Sequence, residues 1–350
     1  TNAVREALAS GNFDHTVVTI SQQACASFGA HFGLGMRDAF AKFSAFARQN
    51  FRAEAVFDTS MGRDAALLES AAEFIARAKV QGLHTSRSGV DWTSPGFTVA
   101  VSSSQSRDAL TGSLMTEEGG GGKPGPLPVL TSSCPGWVCY AEKTRPEALP
   151  YLSSCKSPQQ IMGRFVKSFV SREMEVPPSR VFHITVMPCF DKKLEASRLD
   201  FFDDRTNSHD VDIVLTPGEI VDMLNSSGTQ FAALSSPSAG AEASALRNLE
   251  TKVNANLLSL PSVQNQGSGG YLEYVFRRAG EELFGIRMDH ELPLTYVQGP
   301  NIDIQYTELK NENGVVLMRF ARAYGFRNIQ AIVRKMRQGR CNFDYVEIMA

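Results

Sequence analysis

Cys134 and Cys189 are the residues of this 350-residue chain whose surroundings could do chemistry. The first lies in PVLTSSCPGWVCYAEK, where the apolar run Leu127 to Leu130 stops at Thr131, Ser132 and Ser133. Pro135 and Gly136 follow the thiol, so a short buried strand turns sharply there, and a helix begins near Val138. Strand, thiol, tight turn and helix present a sulfur ligand or a nucleophile at a strand end, where backbone N–H groups are free. A buried structural cysteine beside a turn is the competing reading. The second lies in VFHITVMPCFDKKLEAS, where the strand Val181 to Met187 ends at Pro188 and Cys189 and is followed by Lys192, Lys193 and Glu195. Lysine near a thiol favours the ionised form, the species that binds metal. A core thiol beside a solvated charged face is the alternative. Two strand-end cysteines of this kind suggest a crevice between sheets that both share.

The other candidates are weaker. Cys139 falls one turn after Cys134 and reads as helix packing; Cys155 precedes a helix start and could approach the crevice. Cys25 and Cys341 read as ordinary core or surface thiols. The six histidines show no HxxxH or HxH spacing, which argues against a histidine metal site. Gln264 to Gly270 is glycine-rich without the order of a phosphate-binding loop. Six sparse cysteines make no disulfide framework and suit a reducing compartment. A net charge of −2 gives no electrostatic case for nucleic acid or an anionic membrane, and no apolar run reaches the length of a membrane span. The opening TNAVREALASGNFDH lacks the layout of a signal peptide and reads as a chain trimmed at a domain edge.

The elements that must position these thiols alternate between strand and helix. Strands are expected at Thr16 to Ser21, Ala55 to Asp58, Phe97 to Ser102, Val181 to Met187 and Val211 to Leu215. Helical spacing runs from Cys25 to Phe51, from about Arg63 to Lys79, from Ser157-Pro158 through about Arg172, after Pro217-Gly218-Glu219, from Tyr271 to Ala279 and from Asn328 to Arg337. Leu292 to Val297, Ile302 to Leu309 and Val315 to Ala323 alternate like antiparallel strands, and Tyr345 to Met349 is a last strand. Flexible loops are expected at 111–128 and at 225–247. The pattern predicts α/β sheets with helical cover.

TSSCPGW, then KSPQQ, then MPCFDKKLEAS resembles the catalytic domain of the iron-only ([FeFe]) hydrogenases, whose signatures TSCCPGW and MPCxxKxxE each carry a cysteine on the active-site cluster. VFDTSMGRDAALLES and GSGGYLEYVFR extend the resemblance, in order, over nearly the whole chain. Two departures stand out. Ser133 replaces the cysteine that passes protons in hydrogenases, and Ser70 replaces an acid of the proton route, with Glu69 and Glu73 nearby. A hydroxyl is a poor proton relay near neutral pH. With these changes the chain resembles the eukaryotic hydrogenase-like (nuclear prelamin A recognition factor-like) subfamily of cytosolic iron–sulfur assembly factors.

That resemblance implies two intertwined lobes, 1–176 and 177–350, each a small, mainly parallel twisted sheet flanked by helices, with the site in the cleft between them. It implies a [4Fe–4S] cluster held by Cys134, Cys189 and two further cysteines just beyond Ala350, and an additional cluster site before Thr1. This stretch alone would then bind the cluster weakly or not at all. Ser133, Pro135, Gly136, Met187 and Pro188 would line the cleft. Lys192 matches the hydrogenase lysine beside a cyanide ligand, and would balance thiolate charge or form a surface salt bridge. The implied role is non-catalytic: to carry clusters toward target apoproteins in the cytoplasm, with the nucleus as a second location. The implied partners are a β-propeller targeting adaptor and an early scaffold. The rivals are a hydrogen-evolving or hydrogen-consuming oxidoreductase and a metal-free interaction module.

Overall fold

The computed structural model describes residues 2–83, 124–234, 245–255, 269–289 and 292–349. The expected strand at 97–102 lies outside them, as do most of the loop at 111–128 and the middle of the loop at 225–247. Two compact units are present, each assembled from two stretches of chain: Thr1–Ala66 with Lys156–Pro261, and Leu67–Cys155 with Ser262–Ala350. The expected break near residue 176 falls inside the first unit. The reason is a non-local pairing: β4 (Val181–Val186) hydrogen-bonds in parallel to β1 (His15–Ile20) along its full length.

In the first unit, four parallel strands run in the order β2 (Ala55–Asp58), β1, β4, β7 (Ile213–Leu215). Their β-branched residues are buried on both faces, as a parallel sheet between helical layers requires. Val18, Ile20, Val56, Ile184 and Val186 point into a core with Phe28, Phe43, Phe46 and Phe51. Those rings come from α2 (Gln22–Phe32) and α3 (Met36–Phe51). The helical stretch from Cys25 to Phe51 is thus two helices, broken where Gly33 takes φ +65° and ends α2. On the other face, Val17, Ala55, Phe57 and Val181 meet Met162, Phe165, Val166 and Val170. These belong to α6 (Pro158–Phe165) and the π-type turn Val166–Val170 that continues it. Gly62, in the first turn of α4 (Ser60–Val80), lets that helix approach α6, because a Cβ there would sit 2.6 Å from the Pro158 carbonyl oxygen.

The second unit carries a five-stranded sheet in the order β3 (Val129–Thr131), β11 (Tyr345–Met349), β10 (Val316–Tyr324), β9 (Ile304–Lys310), β8 (Val297–Gln298). β3, β11 and β10 are parallel; β9 and β8 add antiparallel. One face packs on Ala71, Phe74 and Ile75 of α4 and on Leu272, Val275 and Phe276 of α10 (Tyr271–Phe284). The other packs on Trp137 and Ala141 of α5 (Pro135–Thr144) and on Ile329, Ile332 and Val333 of α11 (Phe326–Arg337).

One buried group in the first sheet makes stability depend on pH. His183 in β4 is fully buried, with Nδ1 2.9 Å from the Asp210 carbonyl oxygen and Nε2 2.8 Å from Thr19 Oγ1. The carbonyl can only accept, so Nδ1 carries the proton and Nε2 accepts from the hydroxyl. Burial pulls the imidazole pKa down to about 3. The unfolded chain binds this proton below about pH 6.5 and the folded chain does not, so stability is lost as pH falls through that window. The loss is about 1.4 kcal/mol per pH unit, or about 2.7 kcal/mol at pH 4.5. Urea melts of wild type and His183→Gln across this range should show the wild type losing that much more. Parallel pH dependences would mean that the ring gains a proton without unfolding.

Candidate functional site

Cys134 is set by the end of β3 and the start of α5. Val129, Leu130 and Thr131 are buried between β11 and the loop that returns through Leu152, whose neighbour Ser153 donates its N–H to the Leu130 carbonyl at 2.9 Å. The chain emerges at Ser132 and Ser133, and Cys134 occupies the N-cap of α5 with extended backbone. Pro135 at the first helical position starts the helix three residues earlier than expected. The Ser132 hydroxyl accepts the Cys134 N–H at 3.1 Å and fixes the turn. Trp137, fully buried, anchors α5 to the sheet, leaving Cys134 half-exposed. The Trp137 indole N–H has no partner among the described residues.

Cys189 is set by the carboxyl end of β4 in the first unit. Met187 is buried, and Pro188 and Cys189 are exposed. The Asp191 N–H, in the first turn of α7 (Asp191–Ala196), donates to Cys189 Sγ at 3.4 Å. Lys192 Nζ lies 2.7 Å from Glu195 Oε2, and both side chains are only about one-tenth exposed. The pair is therefore a buried one and not the surface salt bridge expected as an alternative. Gln159 closes the network: its Nε2 donates to Glu195 Oε2 at 3.3 Å and to the Lys192 carbonyl at 3.1 Å, while its Oε1 accepts from Thr185 Oγ1 at 3.2 Å. This ties the loop bearing Cys189 to β4 and α6.

The remaining thiols are differently placed. Burial pushes Cys25 up to about 12, and burial does the same to Cys155, helped by the nearby carboxylates of Glu73 and Glu69. Both are thiols rather than thiolates at neutral pH, and so poor ligands. Cys341 is also raised by burial. Cys139 is half-exposed on α5.

The residues expected near a proton route gather in the second unit, but as a structural clamp. Ser70 is fully buried, and its hydroxyl has no hydrogen-bond partner among the described residues. Glu73 accepts from the Arg77 guanidinium at 2.7 Å, from the Ser153 hydroxyl, and from both the N–H and the hydroxyl of Ser154 at 2.9 Å. Burial raises the Glu69 carboxyl. Gln160 was legible only as part of a helix start. It is fully buried, and neither amide atom has a partner among the described residues. An orphan of this kind costs about 1–3 kcal/mol until a polar group meets it.

Whether these residues fit an iron–sulfur cluster is a question of donors. Among the described residues no three His, Cys, Asp or Glu side chains converge as a metal site. Cys134 and Cys189, one in each unit, are two accessible thiols, each just after a strand end. As thiols they are of the donor type such a cluster takes, and two alone do not complete a four-cysteine site.

A parallel sheet and a mixed sheet, each covered by helices, define an α/β protein. The chain belongs to the family described as iron only hydrogenase large subunit, C-terminal domain, whose profile matches residues 14–118 and 93–350. It is 42% identical over 335 residues to the cytosolic iron-sulfur assembly component 3 of Mus musculus, covering 95% of this chain and 59% of that protein. It is 36% identical over 341 residues to the cytosolic Fe-S cluster assembly factor narfl of Danio rerio, covering 95% and 69%. The chain spans about three-fifths of the length of the first of these relatives. A solved [FeFe]-hydrogenase, described for oxygen inactivation of its H cluster, shares the fold with a TM-score of 0.67 at 24% identity, over 100% of this chain and 81% of that one. An [FeFe]-hydrogenase from Chlamydomonas reinhardtii gives 0.68 at 22% identity, over 99% and 81%. Among the described residues no helix is long and apolar enough to cross a membrane.

Proposed function

We propose that this chain is the core of a cytosolic iron–sulfur assembly factor that carries a [4Fe–4S] cluster toward recipient apoproteins and does not turn over hydrogen. Cys134 and Cys189 each contribute one thiolate, and the remaining donors come from outside these 350 residues. A bound cluster is a one-electron centre and, in assembly, a cargo. The chain's own part is to hold two sulfurs at rigid positions. The Asp191 N–H supports one sulfur, and the other stands at a helix N-cap. The names of the relatives, an assembly component and an assembly factor, support the cytosolic role. The partners proposed are a β-propeller targeting adaptor, an early scaffold and the recipient proteins. The location proposed is the cytoplasm, with the nucleus second.

The observation that carries the non-catalytic reading is the residue type at the positions that resemble a hydrogenase proton route. Ser133 and Ser70 are hydroxyls where a relay needs groups that titrate near neutral pH, and Glu73 is held by Arg77, Ser153 and Ser154. The test uses a full-length protein containing this chain, reconstituted anaerobically with iron and sulfide. Hydrogen should not exceed that of the cluster-free control under a low-potential reductant, and an apo [4Fe–4S] dehydratase should recover activity when mixed with the loaded protein. Sustained hydrogen evolution would place the protein with the oxidoreductases. A protein that takes up no iron would be a metal-free module.

A further inference from the structure

In the second unit, a cavity of about 430 Å³ opens between α11 and the outer strands of the sheet. Three cations, Arg319, Arg327 and Lys335, line it, and no carboxylate does. Arg319 is neutralised by Glu308 at 2.6 Å, whereas neither Arg327 nor Lys335 meets a carboxylate among the described residues. Both are exposed. Lys335 lies in the last turn of α11, where a cation complements the helix dipole. Arg327 lies in the first turn, where a cation opposes it, so helix stability does not explain its presence. The wall is pre-set by a reciprocal amide pair: Asn301 Nδ2 donates to Asn328 Oδ1 at 2.8 Å, and Asn328 Nδ2 donates back at 3.3 Å and to the Tyr324 carbonyl at 2.8 Å.

We infer that this cavity is a docking site for an acidic peptide segment, one that sets an apolar side chain into the pocket and lays flanking carboxylates on Arg327 and Lys335. The lining also includes the apolar Ile304 and Ile332 and the rings of Tyr306 and Phe343, 6.0 Å apart between centroids. A flat anionic membrane does not enter a concavity of this size. A nucleobase would need a bare aromatic face; the Arg319 guanidinium already lies over the Tyr306 ring at 5.9 Å, and Phe343 leans against it. The net charge of the chain is −2, so the local positive potential belongs to this face and selects an acidic partner by complementarity. The inference is independent of iron binding.

The probe is a fluorescein-labelled peptide of Glu and Asp flanking a central Leu-Phe, titrated by fluorescence anisotropy against the chain. The expected result is micromolar binding that weakens with added salt and falls at least about tenfold in Arg327→Glu/Lys335→Glu. It should be unchanged in Lys252→Glu, which alters an exposed cation of α9 (Ala245–Asn254) in the first unit. Arg327→Gln/Lys335→Gln, a milder pair, should lie between wild type and the reversal. Binding that the reversal leaves intact, or no binding, would overturn the proposal. So would tighter binding of a poly-dT oligonucleotide or of phosphatidylserine vesicles with the same dependence on these residues.

Discussion

Alanine at both Cys134 and Cys189 is expected to remove essentially all of the iron taken up by a reconstituted full-length protein containing this chain. A four-cysteine cluster needs about four thiolates for about four irons, and losing two of them leaves a site that no longer holds it. Either single substitution should reduce iron and sulfide together and shift the visible and EPR spectra, because the surviving ligands hold a distorted or partial cluster. The fold should be little affected. Cys189 is exposed and Cys134 half-exposed at a helix cap, so truncating either side chain removes little packing and should change stability by no more than about 0.5 kcal/mol. The controls come from the buried thiols. Cys155→Ala and Cys25→Ala remove sulfurs that burial keeps protonated, with both values pushed up to about 12, and iron content should stay at the wild-type value. If Cys155→Ala lost iron as fully as Cys189→Ala, the choice of ligands would be wrong. Equal iron in wild type and the double variant would end the cluster assignment for this chain.

The strand-end placement of these two cysteines is legible in the sequence because its signals are local. β1, β4 and β11 are short β-branched runs, and each is found within a residue of its expected bounds because burial on both faces leaves little choice of residue type. The turn after Cys134 and the cap at Ser157-Pro158 are written in neighbouring residues, so they too could be read. What could not be read is non-local. The pairing of β4 with β1 assigns Lys156–Pro261 to the first unit, and nothing in the composition near residue 176 announces it. Polar ends also mislead: Asn225 to Ser227, expected as loop, are the last turn of α8 (Pro217–Ser227), a helix opened by the Thr216–Glu219 capping box and stopped by Gly228 at φ +66°. Lys192 belongs to the same class. A basic residue after a strand suggests a charge facing solvent or a thiolate; its burial against Glu195 depends on Gln159, more than thirty residues earlier in the chain.

Arg77 is the strongest case of this kind, and its replacement by alanine should be the most destabilising single change in the second unit. A cation in the last turn of α4 looks like a solvated residue complementing the helix dipole. Instead Arg77 is 5% exposed, and its guanidinium reaches five acceptors. Nη2 donates to the Leu152 carbonyl and to Glu73 Oε1, each at 2.7 Å. Nη1 faces the carbonyls of Pro126, Pro150 and Tyr151 at 3.3–3.5 Å. Gly125 is part of the same packing, since a Cβ there would lie 2.8 Å from Arg77 Nη1. Arg77 thus holds together the approach to β3, the loop before Cys155 and Glu73. Removing it strands a mostly buried carboxylate and four carbonyls, which should cost about 3–5 kcal/mol. In a unit of this size that lowers Tm by roughly 10 °C. Arg77→Lys keeps the charge but reaches fewer of the diverging carbonyls, and should recover about half of the loss. Glu73→Gln keeps an acceptor for Ser153 and Ser154 and removes the charge that Arg77 neutralises, so it should cost less than Arg77→Ala. The local readout is amide exchange across 150–155, which should speed up in Arg77→Ala before global unfolding, with faster alkylation of Cys155. A Tm within about 2 °C of wild type, with exchange unchanged, would mean that water replaces the guanidinium at no cost, and that the segment leading to Cys134 is positioned by β3 alone.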